Sequence, residues 1–289
     1  MAEIEQYLAP SGLEQAAGYL QLPGEVTILA GGTDLMPQSQ GGRMNFKRTL
    51  MNINGIAELK GMAIDGGVIR IGALATITEI MRSELIGKHL PILVEACDHF
   101  ASDQIRNVAT LGGNVCNASP AGDMLVPLLV LDAEVELASR PNGSLVWRRL
   151  PLAEFCVGPG KTRRGPAELL AGLRVGVPPA NHYARFFKFG TRPALDISTI
   201  SIGIAGTLKD GALSQVRVAF GAVAPVPMRA RRTEQALEGR RLDAAAVEAV
   251  AAVARDEVTP IDDIRASAWY RRELIHNITR RMLAHVAQS

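Results

Sequence analysis

Two glycine pairs, each followed by hydroxyl and carboxylate groups, are the parts of this sequence best suited to gripping a phosphorylated ligand. The first is Ala30-Gly31-Gly32-Thr33-Asp34, directly after the apolar run Val26-Thr27-Ile28-Leu29. Glycine lets backbone amides approach an anion where a Cβ would obstruct them, and Thr33 adds a hydroxyl donor. Asp34 can accept from a ribose or from a nearby amide. The second is the segment 110–123, which offers Gly112-Gly113, Asn114, Asn117, Thr110, Ser119 and the closing carboxylate Asp123. Neither segment is a G-x-G-x-x-G fingerprint or a P-loop. Each taken alone fits an ordinary turn as well as a cradle. Together they suit an extended diphosphate ligand held from two sides.

Other chemistries lack support. The three cysteines, Cys97, Cys116 and Cys156, are widely spaced and too few for a four-cysteine iron–sulfur cluster. Cys116 lies inside the second loop, yet it reads first as a small buried thiol. The five histidines, His89, His99, His182, His276 and His285, show no metal-ligand spacing. No serine sits in a G-x-S-x-G elbow, so a triad hydrolase has no basis.

Elements that must position the loops come next. Ser11 and Glu14 fit a capping box for a helix over 13–20, and Thr76 and Glu79 fit a second box for a helix through Ile80 and Leu85. Strands are expected at 26–29, 52–59, 68–71, 130–138 and 144–147, with a helix over 90–100 and a loop over 106–123. Pro178-Pro179 disfavours continuing a helix or a central strand and marks a boundary. Beyond it, runs at 199–208 and 216–223 join near Asp210-Gly211, a hairpin signal. Helices follow at 243–256 and 268–286. In the latter, Leu274, Ile275, Ile278, Met282 and Val286 share a face with arginines around it.

Composition agrees with a folded, mixed protein. The 289 residues are 47% hydrophobic and 21% charged, which excludes general disorder. Lys+Arg 31 against Asp+Glu 29 leaves +2 with no block of like charge, so no nucleic-acid partner is expected. No apolar run approaches the roughly 18 residues of a membrane span. With no disulfide framework and no basic-then-apolar start, a reduced, cytoplasmic setting is expected.

The motifs also carry a resemblance. Ile-Leu-Ala-Gly-Gly-Thr-Asp-Leu at 28–35, Gln-Ile-Arg-Asn-Val-Ala-Thr-Leu-Gly-Gly-Asn at 104–114 and Ala-Ser-Pro-Ala-Gly-Asp at 118–123 resemble the FAD-binding medium subunit of the molybdenum hydroxylases. That family includes xanthine, nicotinate and carbon monoxide dehydrogenases. The likeness continues through Gly158-Pro-Gly-Lys161, Phe187-Lys188-Phe-Gly-Thr-Arg192, Leu195-Asp196-Ile197-Ser198 and Tyr270-Arg-Arg-Glu-Leu274, spanning nearly the whole chain in order. It is strongest toward the xanthine dehydrogenase type. The reductase branch, with an inserted cysteine loop for a further cluster, is not matched.

The resemblance implies an α+β fold. A vanillyl-alcohol-oxidase-type FAD-binding domain of two α/β subdomains (about 1–55 and 56–176) would precede a C-terminal domain, 177–289, with a three-stranded antiparallel sheet and helices. It implies FAD contacts at Leu29, Ala30, Gly31, Gly32, Thr33, Asp34 and Leu35 on the first loop. On the second it implies Ala109, Thr110, Gly112, Gly113, Asn114 and Asp123. Phe100, Leu169, Leu170 and Lys188 complete the set, with Lys188 at the flavin end as a modulator rather than a catalytic residue. No metal ligand is expected on this chain. Molybdopterin and [2Fe–2S] clusters would sit on large and small partner subunits, with electrons passing through FAD to NAD⁺ or another acceptor. Medium subunits of the carbon monoxide or nicotinate dehydrogenase types, a stand-alone flavin oxidoreductase and a non-catalytic assembly module are the competing expectations.

Overall fold

The computed structural model describes residues 4–22, 24–192, 195–209 and 211–287. The chain opens with β1 (Gln6–Leu8), α1 (Leu13–Tyr19), β2 (Val26–Leu29), α2 (Leu35–Gln40) and β3 (Thr49–Asn52). These strands form a small parallel sheet in the order β1-β3-β2. Helix α1 buries Leu13, Ala16 and Ala17, as its apolar spacing requires. The capping box expected from Ser11 and Glu14 does not form, because extended Gly12 is the N-cap. The Ser11 amide instead donates to Gln15 Oε1 at 2.9 Å, and Glu14 pairs with Arg140 at 2.9 Å.

A five-stranded antiparallel sheet follows, in the order β4-β5-β10-β6-β7. It contains β4 (Met62–Asp65) and β5 (Val68–Gly72), then, after the helices, β6 (Glu134–Ser139) and β7 (Val146–Pro151). The short strands β8 (Cys156–Gly158) and β9 (Lys161–Thr162) precede β10 (Leu169–Gly176). The helices over this sheet are α3 (Ile77–Arg82), α4 (Glu84–His89), α5 (Pro91–Asp98), α6 (Asp103–Arg106), α7 (Leu111–Asn117) and α8 (Leu125–Val130), with α9 (Leu152–Phe155) after β7. The Thr76–Glu79 capping box is present: Thr76 Oγ1 accepts from the Glu79 amide at 3.2 Å and Glu79 Oε2 from the Thr76 amide at 2.7 Å. The helix stops short of Leu85, because Ser83 turns extended and caps α4 instead.

Three expectations fail here. Of the strand expected over 52–59, only Asn52 lies in β3; Asn54 then folds back on Asn52 Oδ1 and a 3₁₀ turn follows at Ala57–Leu59. The loop expected over 106–123 contains α7, capped by Thr110, in which Gly112 and Gly113 sit where a Cβ would clash with Ala73 and Thr110. The strand expected from 130 begins at Glu134, since Val130 closes α8 and Asp132 adopts φ +49.

Gly176 ends β10 and His182 opens β11 (His182–Phe189). Strands β12 (Ile200–Lys209) and β13 (Ala212–Gly221) complete three long antiparallel strands, to which β14 (Met228–Arg229) adds a two-residue edge. Asp210 of the hairpin signal lies outside the described residues, while Gly211 has φ +74, the left-handed conformation such a turn needs. Helices α10 (Arg231–Leu237), α11 (Ala244–Glu257) and α12 (Ala268–Val286) pack on this sheet. Leu274, Ile275, Ile278, Met282 and Val286 are all buried on α12, and so is Arg271.

Strand β11 divides two cores. Phe186 joins the large core of the middle sheet, whereas Tyr183, Phe187 and Phe189 pack against the core beneath α11 and α12. The strand's two-residue alternation produces this split.

Candidate functional site

The first loop is held open from behind. Asn54 Nδ2 donates to the Ala30 carbonyl at 2.8 Å, and the Ile53 amide donates to Leu29 at 3.0 Å. Among the described residues, the amides of Gly31, Gly32, Thr33, Asp34 and Leu35 donate to no acceptor in the chain. Consecutive unpaired amides on a glycine turn are the donor set of an anion cradle. The two glycines have distinct reasons. A Cβ on Gly31 would lie 1.9 Å from the Val108 carbonyl oxygen, so this loop abuts the second one directly. Gly32 has φ +71.

The second loop works differently. Thr110 caps α7 through its hydroxyl, which accepts from the Gly113 amide at 3.1 Å, and the Asn114 amide donates to the Thr110 carbonyl at 3.0 Å. The amides of Leu111 and Gly112 donate to Ala75 and Ala73 at 2.9 and 2.8 Å. The amides of 111–114 are therefore spent on holding the loop. What it presents is a flat glycine surface and side chains. A Cβ on Gly112 would meet that of Ala73 at 2.7 Å. Asn114 Oδ1 is buried without a partner, a polar atom left for something the chain itself does not supply.

Between the loops runs a cleft of about 900 Å³, large enough for a dinucleotide-sized cofactor. Ala30, Gly31, Gly32, Thr33, Asp34 and Leu35 line one wall, and Ala109, Thr110, Gly112, Gly113 and Asn114 line the other. Phe100, Asp123, Leu169 and Leu170 also line it. Two expected residues do not. Leu29 sits behind the loop, its Cδ1 3.2 Å from the place of a Cβ on Gly32, and Lys188 reaches the cleft only through Asp123. A link across the cleft was not foreseen: Gln38 Nε2 donates to Asp34 Oδ2 at 2.8 Å and to Asn117 Oδ1 at 3.0 Å, joining α2 to α7.

Further lining residues escaped the sequence reading. Gly160, Thr162 and Arg164 come from the β8–β9 region, and Leu195, Asp196 and Ile197 from the loop after β11. Both belong to motifs visible in the sequence, but nothing in their spacing says that they face Gly31 and Gly112.

One end of the cleft carries the charged chemistry. Lys188 Nζ donates to Asp123 Oδ2 at 2.8 Å and to the His99 carbonyl at 3.0 Å, and Ser198 Oγ donates to Asp123 Oδ1 at 2.8 Å. The Lys188 side chain is 7% exposed, so it is no solvated surface lysine. Burial pushes the Asp123 carboxyl above the usual range, and Lys188, Ser198 and His99 oppose it. The thiols are quiet: burial raises Cys116 and Cys156 to about 11, with Arg164 partly opposing at Cys116 and Cys116 itself adding to Cys156. No group of three or more His, Cys, Asp or Glu among the described residues could hold a metal ion.

Free amides, a glycine wall, an orphaned amide oxygen and a long cleft fit FAD, whose diphosphate needs donors and whose ring needs an apolar flank. The fold and site define a flavin-binding class. The sequence matches the family described as the FAD binding domain in molybdopterin dehydrogenase over residues 2–179, and the CO dehydrogenase flavoprotein C-terminal domain over 185–286. The chain belongs to this family of dehydrogenase flavoprotein subunits. It is 34% identical over 286 residues to the xanthine dehydrogenase FAD-binding subunit of Escherichia coli O157:H7, covering 98% of this chain and 96% of that one. It is 29% identical to the carbon monoxide dehydrogenase medium chain of Afipia carboxidovorans, covering 95% and 94% of the two chains. Carbon monoxide dehydrogenase from Hydrogenophaga pseudoflava superposes with a TM-score of 0.90 at 29% identity, over 96% of this chain and 94% of that one.

Proposed function

We propose that this chain is the FAD-carrying medium subunit of a heteromeric molybdenum hydroxylase of the xanthine dehydrogenase type. The run of unpaired amides at 31–35 carries the reading, because it supplies donors where a diphosphate needs them. In this assignment the first loop holds the diphosphate, the second loop flanks it, and Phe100, Leu169 and Leu170 flank the ring. Bound FAD would supply the one-electron to two-electron conversion that links metal clusters to a hydride acceptor. The chain's residues orient it, keep water from it and set its electrostatic surroundings.

The metals are assigned to partners: molybdopterin to a large subunit and [2Fe–2S] clusters to a small one. Electrons arriving from those clusters would leave to NAD⁺ or another acceptor. We divide the chain into a FAD-binding domain, 1–176, and a C-terminal domain, 177–289. The free thiols Cys97, Cys116 and Cys156 favour a reducing, cytoplasmic setting. No helix among the described residues is long and apolar enough to cross a membrane. A stand-alone flavin oxidoreductase would need a general base over the cleft, and Asp123 is already engaged by Lys188 and Ser198.

The test is purification and titration. The assembled protein should be yellow, and NADH should bleach it in anaerobic solution. Bleaching by a small organic substrate in the isolated chain, or a colourless chain that refuses added FAD, would overturn the proposal.

A further inference from the structure

We infer that Ser198 is a positioning residue for the cofactor cleft, acting through Asp123 to present one oriented, ionised carboxylate at the ring end. This rests on the FAD reading above.

Asp123 stands where three elements converge. Lys188 comes from β11, the His99 carbonyl from the end of α5, and Ser198 from the entry to β12. The two carboxylate oxygens are shared between the two side chains: Lys188 Nζ donates to Oδ2 and Ser198 Oγ to Oδ1, each at 2.8 Å. With both oxygens held, the carboxylate plane cannot rotate. Its remaining acceptor capacity is fixed toward the cleft that Asp123 lines. Ser198 is 1% exposed, and its hydroxyl donates to Asp123.

The charged groups facing Asp123 are Lys188, in direct contact, and His99, whose ring acts at longer range. Burial works against ionisation there, and Lys188, Ser198 and His99 oppose it. A hydrogen bond donated to an anion is worth more than one between neutral groups, so Ser198 does more than fill space. It extends the pH range over which the carboxylate is available to accept from N–H or O–H donors of FAD. Alanine at 198 would keep the Cβ and remove the donor to Oδ1.

The experiment measures FAD binding to the purified, flavin-stripped full chain by quenching of flavin fluorescence, from pH 5 to pH 8. Because the ionised carboxylate is the acceptor, wild-type affinity should weaken on acidification. Removing the Ser198 donor favours the protonated acid, so Ser198→Ala should move that weakening to higher pH by about one pH unit, or about tenfold in affinity within the window. Ser198→Thr keeps the hydroxyl and should restore the wild-type profile, while Asp123→Asn should abolish the pH limb. Thermal melting should show that Ser198→Ala still folds, with its deficit from wild type larger at pH 8, where the carboxylate is ionised, than at pH 5. A Ser198→Ala profile identical to wild type, in a chain that binds FAD, overturns the inference and leaves the functional reading intact. A wild-type chain that takes up no FAD overturns both.

Discussion

Lys188 Nζ lies 2.8 Å from Asp123 Oδ2, and this ion pair joins the C-terminal sheet to the cofactor cleft with both side chains nearly out of solvent. Breaking a buried pair leaves an uncompensated charge, at a cost of about 3 kcal/mol. Lys188→Ala should therefore lower the melting temperature as well as slow reduction by NADH. The stability deficit has a definite pH sign. Without Lys188 the Asp123 carboxyl rises further above its usual range, and taking up a proton relieves the unpaired charge as pH falls. The deficit should be larger at pH 8 than at pH 5, and melting curves at the two pH values check it.

The glycines of the first loop should separate by mechanism. Gly31→Ala drives a Cβ toward the Val108 carbonyl oxygen, 1.9 Å away, so the two loops must part. A cost of about 2 kcal/mol in stability and loss of flavin on gel filtration are expected. Gly32→Ala meets the strain of its φ of +71, about 1 kcal/mol, and a Leu29 Cδ1 at 3.2 Å that can shift as a side-chain end, and should keep more flavin. Flavin-to-protein absorbance ratios of the two variants measure the difference.

Phe186 and Phe187 test which face of β11 serves which core. Phe186 is 6% exposed in the middle core, so Phe186→Ala should cost about 3 kcal/mol. Phe187 is half-buried under the Arg281 guanidinium, 5.0 Å from its ring centroid, and Phe187→Ala should cost about 2 kcal/mol. Urea unfolding midpoints of the two variants give the ranking.

Arg271 and Asp263 brace the start of α12. Arg271 is 4% exposed and donates to both Asp263 carboxylate oxygens at 2.8 Å. Burial pushes the Asp263 carboxyl up, yet the Arg271 hydrogen bonds and the amides of Arg265 and Ala266 together hold it below the usual range. A depressed carboxylate stabilises the fold above its unfolded pKa and loses that contribution as pH falls through the folded value. Asp263→Ala should cost about 2 kcal/mol at pH 7, tempered by the partial exposure of Asp263. The gap to wild type should close on acidification below about pH 4, which thermal melts across that range would show.

Much of this protein is local. Helix α12 runs from Ala268 to Val286, the span its apolar periodicity predicts, and the Thr76–Glu79 box caps α3, because caps and periodicity depend on neighbours within a turn or two. The two glycine loops were equally visible, since residue type alone permits close backbone approach. What those glycines are for was not. Only the fold shows that Gly31 makes room for the Val108 carbonyl, and that the amides of 111–114 are consumed by Ala73, Ala75 and Thr110 while those of 31–35 stay free. Hydrogen-bond accounting needs every acceptor within reach, and those acceptors come from distant parts of the chain. The same holds for Ser198 and Gln38, whose partners Asp123 and Asn117 lie far away in sequence and leave no trace in local spacing. Arg271 looked like one of the arginines around an amphipathic helix, and tertiary packing buried it because Asp263 arrives from the preceding loop to meet its charge.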